Sequence, residues 1–129
     1  MKTIRDIMTP DPITIGPDRS LAEAIEMLVE YEISGLPVVA EDDKIVGVLS
    51  ERDLLKTFQR PDARTVGDLM TADVVSISVD APLVEVVDII MSNDFRRVLI
   101  HDHGRIAGVV SRADLMPVIL GMLGAEHAR

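Results

Sequence analysis

Apolar residues recur at helical spacing in two places along this chain, once in each half of the sequence. In both places they fall at i, i+3, i+4, i+7 and i+8, a spacing that predicts an amphipathic helix with a single buried stripe. The predicted stripes are Leu21, Ala24, Ile25, Leu28 and Val29 in the first half, and Leu83, Val86, Val87, Ile90 and Met91 in the second. The pattern therefore predicts the same helix twice.

Short apolar runs on either side of each helix predict strands. One run precedes each helix, at residues 12–15 and 74–77, and two runs follow it, joined by a tight turn that implies an antiparallel hairpin. A further helix should begin at Ser50 and at Ser111. The first should end near Pro61, and Pro117 should kink or stop the second, because proline lacks a backbone N–H. The order β-α-β-β-α, found twice, predicts an α+β fold of small sheets packed with helices.

The residues repeat as well as the pattern. Asp6-Ile7-Met8-Thr9 returns 62 positions later as Asp68-Leu69-Met70-Thr71, and residues 47–54 return 61 positions later as residues 108–115, both reading Gly-x-x-Ser-x-x-Asp-Leu. We assign residues 1–60 to a first repeat and residues 61–129 to a second, which together form one compact module. Two copies of one motif usually pack about a pseudo-two-fold axis, so a site that one copy builds is expected twice.

The composition argues against several classes of protein. A formal net charge of −9, without a basic stripe, argues against binding to a nucleic acid. The chain has no cysteine, which removes disulfides and fits a cytoplasmic location. No apolar run approaches the roughly 20 residues that span a bilayer, so we expect no membrane insertion. A repeat of about 60 residues is marginal alone, and we expect the two repeats to share a core.

The ordered set of motifs resembles the cystathionine β-synthase (CBS) domain family, and the tandem pair is similar to a Bateman module. The resemblance covers roughly residues 3–120. It is specific because both motifs occur twice in register. It implies a non-catalytic regulatory module that binds an adenosyl compound (AMP, ADP, ATP, NAD(H) or S-adenosylmethionine) in the cleft between the repeats. The adenine nucleotide would be a regulatory ligand and no cofactor would be obligatory. A stand-alone pair would signal to a separate, unknown protein.

The main candidate for ligand binding is the Ser-x-x-Asp turn that begins the last helix of each repeat. The N-terminus of a helix attracts phosphate, the Ser50 hydroxyl can donate a hydrogen bond, and the Arg52 guanidinium suits phosphate oxygens. By the resemblance, Asp53 would accept hydrogen bonds from a ribose. In the second repeat Ser111, Arg112 and Asp114 match, although Ala113 stands at the position of Arg52 and the arginine lies one residue earlier. The alternative is structural, because Ser-x-x-Asp is also a capping box, and the two roles can coexist.

The resemblance also assigns an adenine slot to the first strand of each repeat and to the nearby hairpin. The residues concerned are Ile13, Thr14 and Pro37 in the first repeat, and Val75, Ser76 and Leu99 in the second. The alternative for each of them is a plain core position. The repeats depart from each other here, since Gly35 of the first corresponds to Arg97 of the second. Arg97 could clamp a phosphate, or it could be a solvated strand end paired with local carboxylates.

Two further motifs have structural explanations. Gly47 and Gly108 lie inside predicted strands, where glycine indicates that something approaches closely, and a helix packed over the sheet accounts for it. His101-Asp102-His103 falls on a hairpin turn, which favours a surface turn over a metal site.

The last helices of the two repeats carry more apolar surface than one core needs. The residues are Leu54, Leu55 and Phe58, and Leu115, Val118, Ile119, Met122 and Leu123. This surplus predicts a homodimer that forms through these helices. The sequence shows no nucleophile–base pair and no paired acid–base carboxylates, so we expect no enzyme. The main alternative to a nucleotide-binding module is a ligand-free scaffold for oligomerisation or protein interaction.

Overall fold

The computed structural model describes residues 2–124 and confirms the α+β class. A short helix that was not predicted opens each repeat, and the strand predicted at residues 12–15 is reduced to a single bridge at Ile15. The helices are α1 (Ile4–Ile7), α2 (Leu21–Tyr31), α3 (Glu51–Leu55), a 3₁₀ turn (Lys56–Phe58), α4 (Val66–Leu69), α5 (Leu83–Asn93) and α6 (Arg112–Met122). The strands are β1 (Thr9–Pro10), β2 (Gly35–Val39), β3 (Ile45–Ser50), β4 (Ser76–Ser78), β5 (Arg97–Asp102) and β6 (Arg105–Ser111).

The chain forms two compact units, and each unit takes residues from both sequence repeats. The first unit comprises residues 13–74 and 104–106, and the second comprises residues 2–12, 75–103 and 107–124. The leading Met-Thr segment of each repeat therefore belongs to the unit that the body of the other repeat forms. The repeat boundaries 1–60 and 61–129 describe the period of the sequence, whereas the compact units exchange these leading segments.

The sheet of the first unit is built around the β2–β3 hairpin. The two strands are antiparallel, with Gly35 opposite Ser50 and Pro37 opposite Val48. Single bridges extend the sheet on both sides, a parallel one that joins Ile15 to Val38 and an antiparallel one that joins Val48 to Thr71. The core of the unit consists of Ile15, Leu21, Ala24, Leu28, Leu36, Val38, Leu49, Ala63, Val66 and Leu69.

The second unit has the same arrangement, with strands in place of the single bridges on both sides of its hairpin. Its four strands are arranged β1-β6-β5-β4, with Thr9 opposite Val109 in the antiparallel pair β1–β6 and Ser76 opposite Leu99 in the parallel pair β4–β5. The core consists of Ile4, Ile77, Val79, Val86, Ile90, Val98, Ile100, Val110 and Leu115. The buried apolar residues thus form one cluster in each unit, and both sequence repeats contribute residues to each cluster. The exchanged segments help to complete each cluster, because Ile4 lies in the second and Val66 and Leu69 lie in the first.

The two predicted helical stripes are only partly buried. In α2, Leu21, Ala24 and Leu28 are buried, whereas Ile25 and Val29 are 45% and 72% exposed. In α5, the same division leaves Val87 and Met91 exposed. Each helix contacts its sheet along a strip narrower than the apolar face that the sequence provides, so the outer edge of the stripe stays on the surface.

The last helix of each sequence repeat begins where the sequence predicts, at the capping serines Ser50 and Ser111. The first of them, α3, ends at Leu55 and continues as a 3₁₀ turn to Phe58. The second, α6, contains Pro117 and continues to Met122, so of the two predicted effects of this proline, a kink or a stop, the stop does not occur. Proline removes one backbone donor from the helix, and the remaining hydrogen bonds carry it for a further turn.

Candidate functional site

The glycine of each Gly-x-x-Ser motif lies against the backbone of a Met-Thr segment. A Cβ at Gly47 would lie 2.8 Å from the sulfur of Met70 and 2.8 Å from the carbonyl oxygen of Thr71. A Cβ at Gly108 would lie 2.6 Å from the sulfur of Met8 and 2.8 Å from the carbonyl oxygen of Thr9. The prediction of a close approach is confirmed, but its expected cause was wrong, because the approaching element is the Met-Thr segment rather than a helix.

In the first unit this contact carries a threonine to the Ser-x-x-Asp turn. Val48 and Thr71 exchange two backbone hydrogen bonds, each 2.9 Å long. The bridge lies two residues before the end of β3, and the Thr71 hydroxyl donates to Oδ1 of Asp53 at 3.0 Å. The two repeated motifs, Met-Thr and Ser-x-x-Asp, therefore meet in space although they come from different sequence repeats.

Asp53 is the buried charged group of the first unit, with a relative exposure of 5%. Its Oδ2 accepts hydrogen bonds from the Ser50 backbone N–H and hydroxyl, both at 3.0 Å. Its Oδ1 accepts from the Thr71 hydroxyl and from the Lys56 ammonium, also at 3.0 Å. The Ser50 hydroxyl in turn accepts from the Asp53 N–H at 3.1 Å, which completes a capping box.

These donors favour the charged form of the carboxyl group. Burial by itself would raise the pKa of Asp53, but the hydrogen bonds from the Ser50 backbone, Lys56, Thr71 and the Ser50 hydroxyl outweigh it and lower the pKa from its ordinary value of 3.8. Asp53 is therefore a carboxylate at neutral pH, and it is held in one orientation by groups of its own unit.

The equivalent turn of the second unit has fewer internal contacts. The Ser111 backbone N–H donates to Oδ2 of Asp114 at 2.8 Å, and the Asp114 N–H donates to the Ser111 hydroxyl at 3.3 Å. Among residues 2–124, no other group donates to the Asp114 carboxylate, whose side chain is only partly buried. The capping box that the sequence allowed is present at both turns, so the structural role of the motif is confirmed.

The three predicted arginines have different surroundings. Arg52 lies exposed in the first turn of α3. Arg112 is tied to the end of α5, because its guanidinium donates to the Phe95 carbonyl at 2.8 Å and to the Asp94 carboxylate at 2.7 Å. Its role as a phosphate-binding residue would require these contacts to break.

Arg97 lies at the start of β5, next to the Ser111 turn. The Arg112 N–H donates to the Arg96 carbonyl at 3.0 Å, which brings the start of β5 beside the start of α6. The Arg97 side chain is exposed. In the first unit Gly35 occupies this place opposite Ser50, so the cationic group is present at one turn and absent from the other.

The residues predicted for an adenine slot lie on adjacent strands of each sheet. The Ile15 N–H donates to the Pro37 carbonyl at 3.1 Å, which places the segment that contains Ile13 and Thr14 beside β2. In the second unit Ser76 pairs with Leu99, and Val75 precedes this pair. Pro37 and Leu99 are buried, Thr14 and Ser76 are half-buried, and Ile13 and Val75 are exposed.

Sequence reasoning missed two members of the first turn, Lys56 and Thr71. Lys56 lies three residues after Asp53, one helical turn further on, a spacing that favours an ion pair. Thr71 belongs to a repeated motif whose role was left open, and the repetition itself was the signal that it has one.

Other features of the surface lie away from these residues. A depression of about 530 Å³ in the second unit is lined by Lys2, Thr3, Arg5 and Val79–Val84, none of them a predicted site residue. Nδ1 of His103 lies 2.8 Å from Oδ1 of Asp102, on the hairpin turn. Within residues 2–124, no group of three or more potential metal ligands comes together. No helix of this part of the chain is long and apolar enough to cross a membrane.

Comparison with known proteins identifies the class. The sequence model of the CBS domain matches residues 4–60 and 66–121, one match for each repeat. The chain belongs to the CBS domain family. A curated relative is the inosine-5′-monophosphate dehydrogenase of Methanocaldococcus jannaschii, 32% identical over 117 residues. That alignment covers 90% of this chain but only 23% of the dehydrogenase.

Solved structures of CBS pairs have the same fold. The crystal structure of CBSX2 in complex with AMP matches with a TM-score of 0.82 at 29% identity, covering 95% of this chain and 98% of that one. The CBS domain pair of protein MJ0100, in complex with 5′-methylthioadenosine and S-adenosyl-L-methionine, matches with a TM-score of 0.78 at 27% identity, covering 95% and 98%. The molecules bound in both structures carry an adenosine group.

Proposed function

We propose that this chain is a non-catalytic regulatory module that binds an adenosine-containing ligand at its Ser-x-x-Asp turns. The observation that carries the proposal is the turn of the second unit. There, the Asp114 carboxylate lies at the start of an 11-residue helix and accepts a hydrogen bond from one donor among residues 2–124, and the exposed Arg97 begins the neighbouring strand. A carboxylate accepts hydrogen bonds from the two hydroxyls of a ribose, and a guanidinium binds phosphate. Asp114 and Arg97 therefore match the ribose and the phosphate of a nucleotide.

The relatives support the adenosine group rather than one particular compound. AMP in one structure and 5′-methylthioadenosine with S-adenosyl-L-methionine in the other share adenine and ribose and differ beyond the 5′ carbon. We propose that this chain binds the shared adenine and ribose through Asp114 and the strand residues Val75 and Ser76. The choice between AMP, ADP, ATP, NAD(H) and S-adenosylmethionine then depends on groups near Arg97.

Regulation requires that the ligand prefer one conformation of the protein over another. A ligand with equal affinity for two conformations shifts neither of them. We propose that the chain acts as a homodimer in the cytoplasm and passes the bound state to a separate partner protein.

A thermal-shift experiment with AMP, ATP, NADH and S-adenosylmethionine tests the proposal. A compound that binds the folded state raises the melting temperature as its concentration passes the dissociation constant. We expect at least one of the four to raise it at millimolar concentration. If none of them does so, the regulatory-ligand proposal is wrong.

A second candidate is a ligand-free scaffold, which the exposed apolar side chains favour. Phe58 is 89% exposed and Met122 is 77% exposed, and a scaffold would bury such side chains against a partner. A scaffold would self-associate or bind a protein without responding to any of the four compounds. The thermal-shift panel therefore separates the two candidates directly.

A further inference from the structure

The two Ser-x-x-Asp turns differ in how many acceptor positions their carboxylates leave open. A carboxylate offers about four lone-pair positions on its two oxygens. At Asp53, four donors fill them, two from Ser50, one from Thr71 and one from Lys56. At Asp114, the Ser111 N–H is the single donor among residues 2–124. The acceptor positions of the Asp53 carboxylate are therefore all occupied, whereas residues 2–124 leave most of those of Asp114 unoccupied.

The sequence accounts for the difference at one position. Lys56 follows Asp53 by three residues, and the residue at the same distance from Asp114 is Pro117, which has no side-chain donor. The Lys56 ammonium lies 3.0 Å from Oδ1 of a carboxylate that is itself 7% exposed, while the lysine side chain is 47% exposed. Lys56 can therefore leave for water at modest cost, which makes it a displaceable partner.

We propose that Lys56 is a built-in competitor for the ribose at Asp53, and that the Asp114 turn is consequently the tighter nucleotide site. The inference rests on the proposed function and adds an order of affinity to it. A ribose donates two hydrogen bonds to the carboxylate, and at Asp53 the first finds an acceptor position only when Lys56 moves away, while the second also requires the Ser50 or Thr71 hydroxyl to turn away. Lys56 is thus a positioning residue that sets the affinity of the first turn.

Simple electrostatics predicts the opposite effect, which makes a substitution informative. If Lys56 only attracted the phosphate, removing its charge would weaken AMP binding at the first turn. If it competes for Asp53, removing it strengthens binding there. Lys56→Met removes the charge and the donors and keeps a side chain of similar length. Lys56→Arg keeps the charge and the donors and should restore the weak binding.

Two matched controls are available in the chain. Lys44→Met removes an exposed lysine of the same unit, which pairs with Asp42 at 3.8 Å, and it reports the effect of net charge alone. Pro117→Lys builds the competitor into the second turn, and Pro117→Ala is its reference because both variants remove the same proline. All the substituted side chains are exposed, and urea unfolding verifies that each variant folds.

Calorimetric titration of each variant with AMP, and in parallel with S-adenosylmethionine, measures the affinity and the number of binding sites. For the wild-type chain we expect a tight and a weak class of sites, with the tight class lost in Asp114→Ala. Lys56→Met should increase the affinity of the weak class of sites by about three- to tenfold. The ligand then no longer has to displace the charged hydrogen bond between Lys56 and Asp53. Lys44→Met and Lys56→Arg should leave it unchanged. Pro117→Lys should weaken the tight class by a similar factor relative to Pro117→Ala.

The outcomes distinguish the inference from the function on which it rests. If the wild-type chain binds either compound while Lys56→Met leaves the weak class unchanged or weaker, the competitor role is wrong and nucleotide binding stands. If neither the wild-type chain nor any variant binds either compound, the proposed function fails, and the inference fails with it.

Discussion

Single residues carry most of what distinguishes the two units. Asp53 accepts hydrogen bonds from four donors, whereas Asp114 accepts from one donor within the described part of the chain, although the motif around them is the same. The motif predicts the capping box at both places, because the cap depends on residues three positions apart. It does not predict Thr71 as a partner of Asp53, because that contact depends on a segment 18 residues away, which the fold brings back to β3.

The donors at Asp53 should make stability depend on pH. Its pKa in the folded chain lies below the ordinary value of 3.8, so its contribution is fully present above that value and is lost as the pH falls through the folded pKa. Asp53→Asn should lower the free energy of unfolding by about 2 kcal/mol at pH 7, because bonds to a charged group are lost. Urea unfolding at pH 7 and pH 3 measures this, and the difference from wild type should shrink at pH 3. A difference independent of pH would contradict the account of Asp53.

The glycines of the Gly-x-x-Ser motif give a second prediction at the residue scale. Gly47→Ala and Gly108→Ala should each destabilise the fold by about 2 kcal/mol, because the new methyl group meets a carbonyl oxygen at 2.8 Å that belongs to a paired backbone segment. Gly121→Ala is the matched control, since a Cβ there meets no atom of residues 2–124 within 4 Å. Denaturant unfolding of the three variants measures the effect. Equal free energies of unfolding for Gly47→Ala and Gly121→Ala would contradict the prediction and would show that the Met-Thr segment shifts to accommodate the methyl group at little cost.

At the scale of elements, the apolar pattern predicts the helices and the hairpins, and the structure confirms them. It overstates how much of each helix is buried, because periodicity shows which face is apolar and not how wide the contact with the sheet is. Val29 of α2 and Met91 of α5 lie in the predicted stripes and are exposed. The pattern also cannot assign the Met-Thr segments to a unit, since strand pairing between distant segments leaves no local period.

Helix α6 tests how much proline costs inside a helix. Because Pro117 leaves the Ala113 carbonyl without its backbone donor, Pro117→Ala should raise the free energy of unfolding by about 1 to 3 kcal/mol. Urea unfolding measures the change. The calorimetric titration with AMP should stay as in the wild type, because Pro117 is exposed and donates nothing to Asp114. A loss of stability would mean that the helix around Pro117 depends on the fixed backbone angle of proline.

At the scale of the whole molecule, the exposed apolar residues predict self-association. Phe58 and Leu55 of the first unit are 89% and 64% exposed, and Met122 and Leu120 of the second are 77% and 61% exposed. We expect sedimentation of the chain to give twice its mass of 14.1 kDa at micromolar concentration. Phe58→Glu, which adds a charge without disturbing a buried group, should shift the population toward the monomer. Sedimentation as a monomer at every concentration would contradict the homodimer.

The central claim is that a carboxylate of this chain reads the ribose of an adenosine ligand, and the 2′-hydroxyl tests it most directly. Calorimetric titration with AMP and with 2′-deoxy-AMP, on the wild-type chain and on the double variant that combines Asp53→Ala with Asp114→Ala, compares two ligands within each protein, so effects on stability cancel. The account predicts that the wild type prefers AMP by about tenfold and that the double variant shows no preference. The same preference in both proteins would contradict the claim.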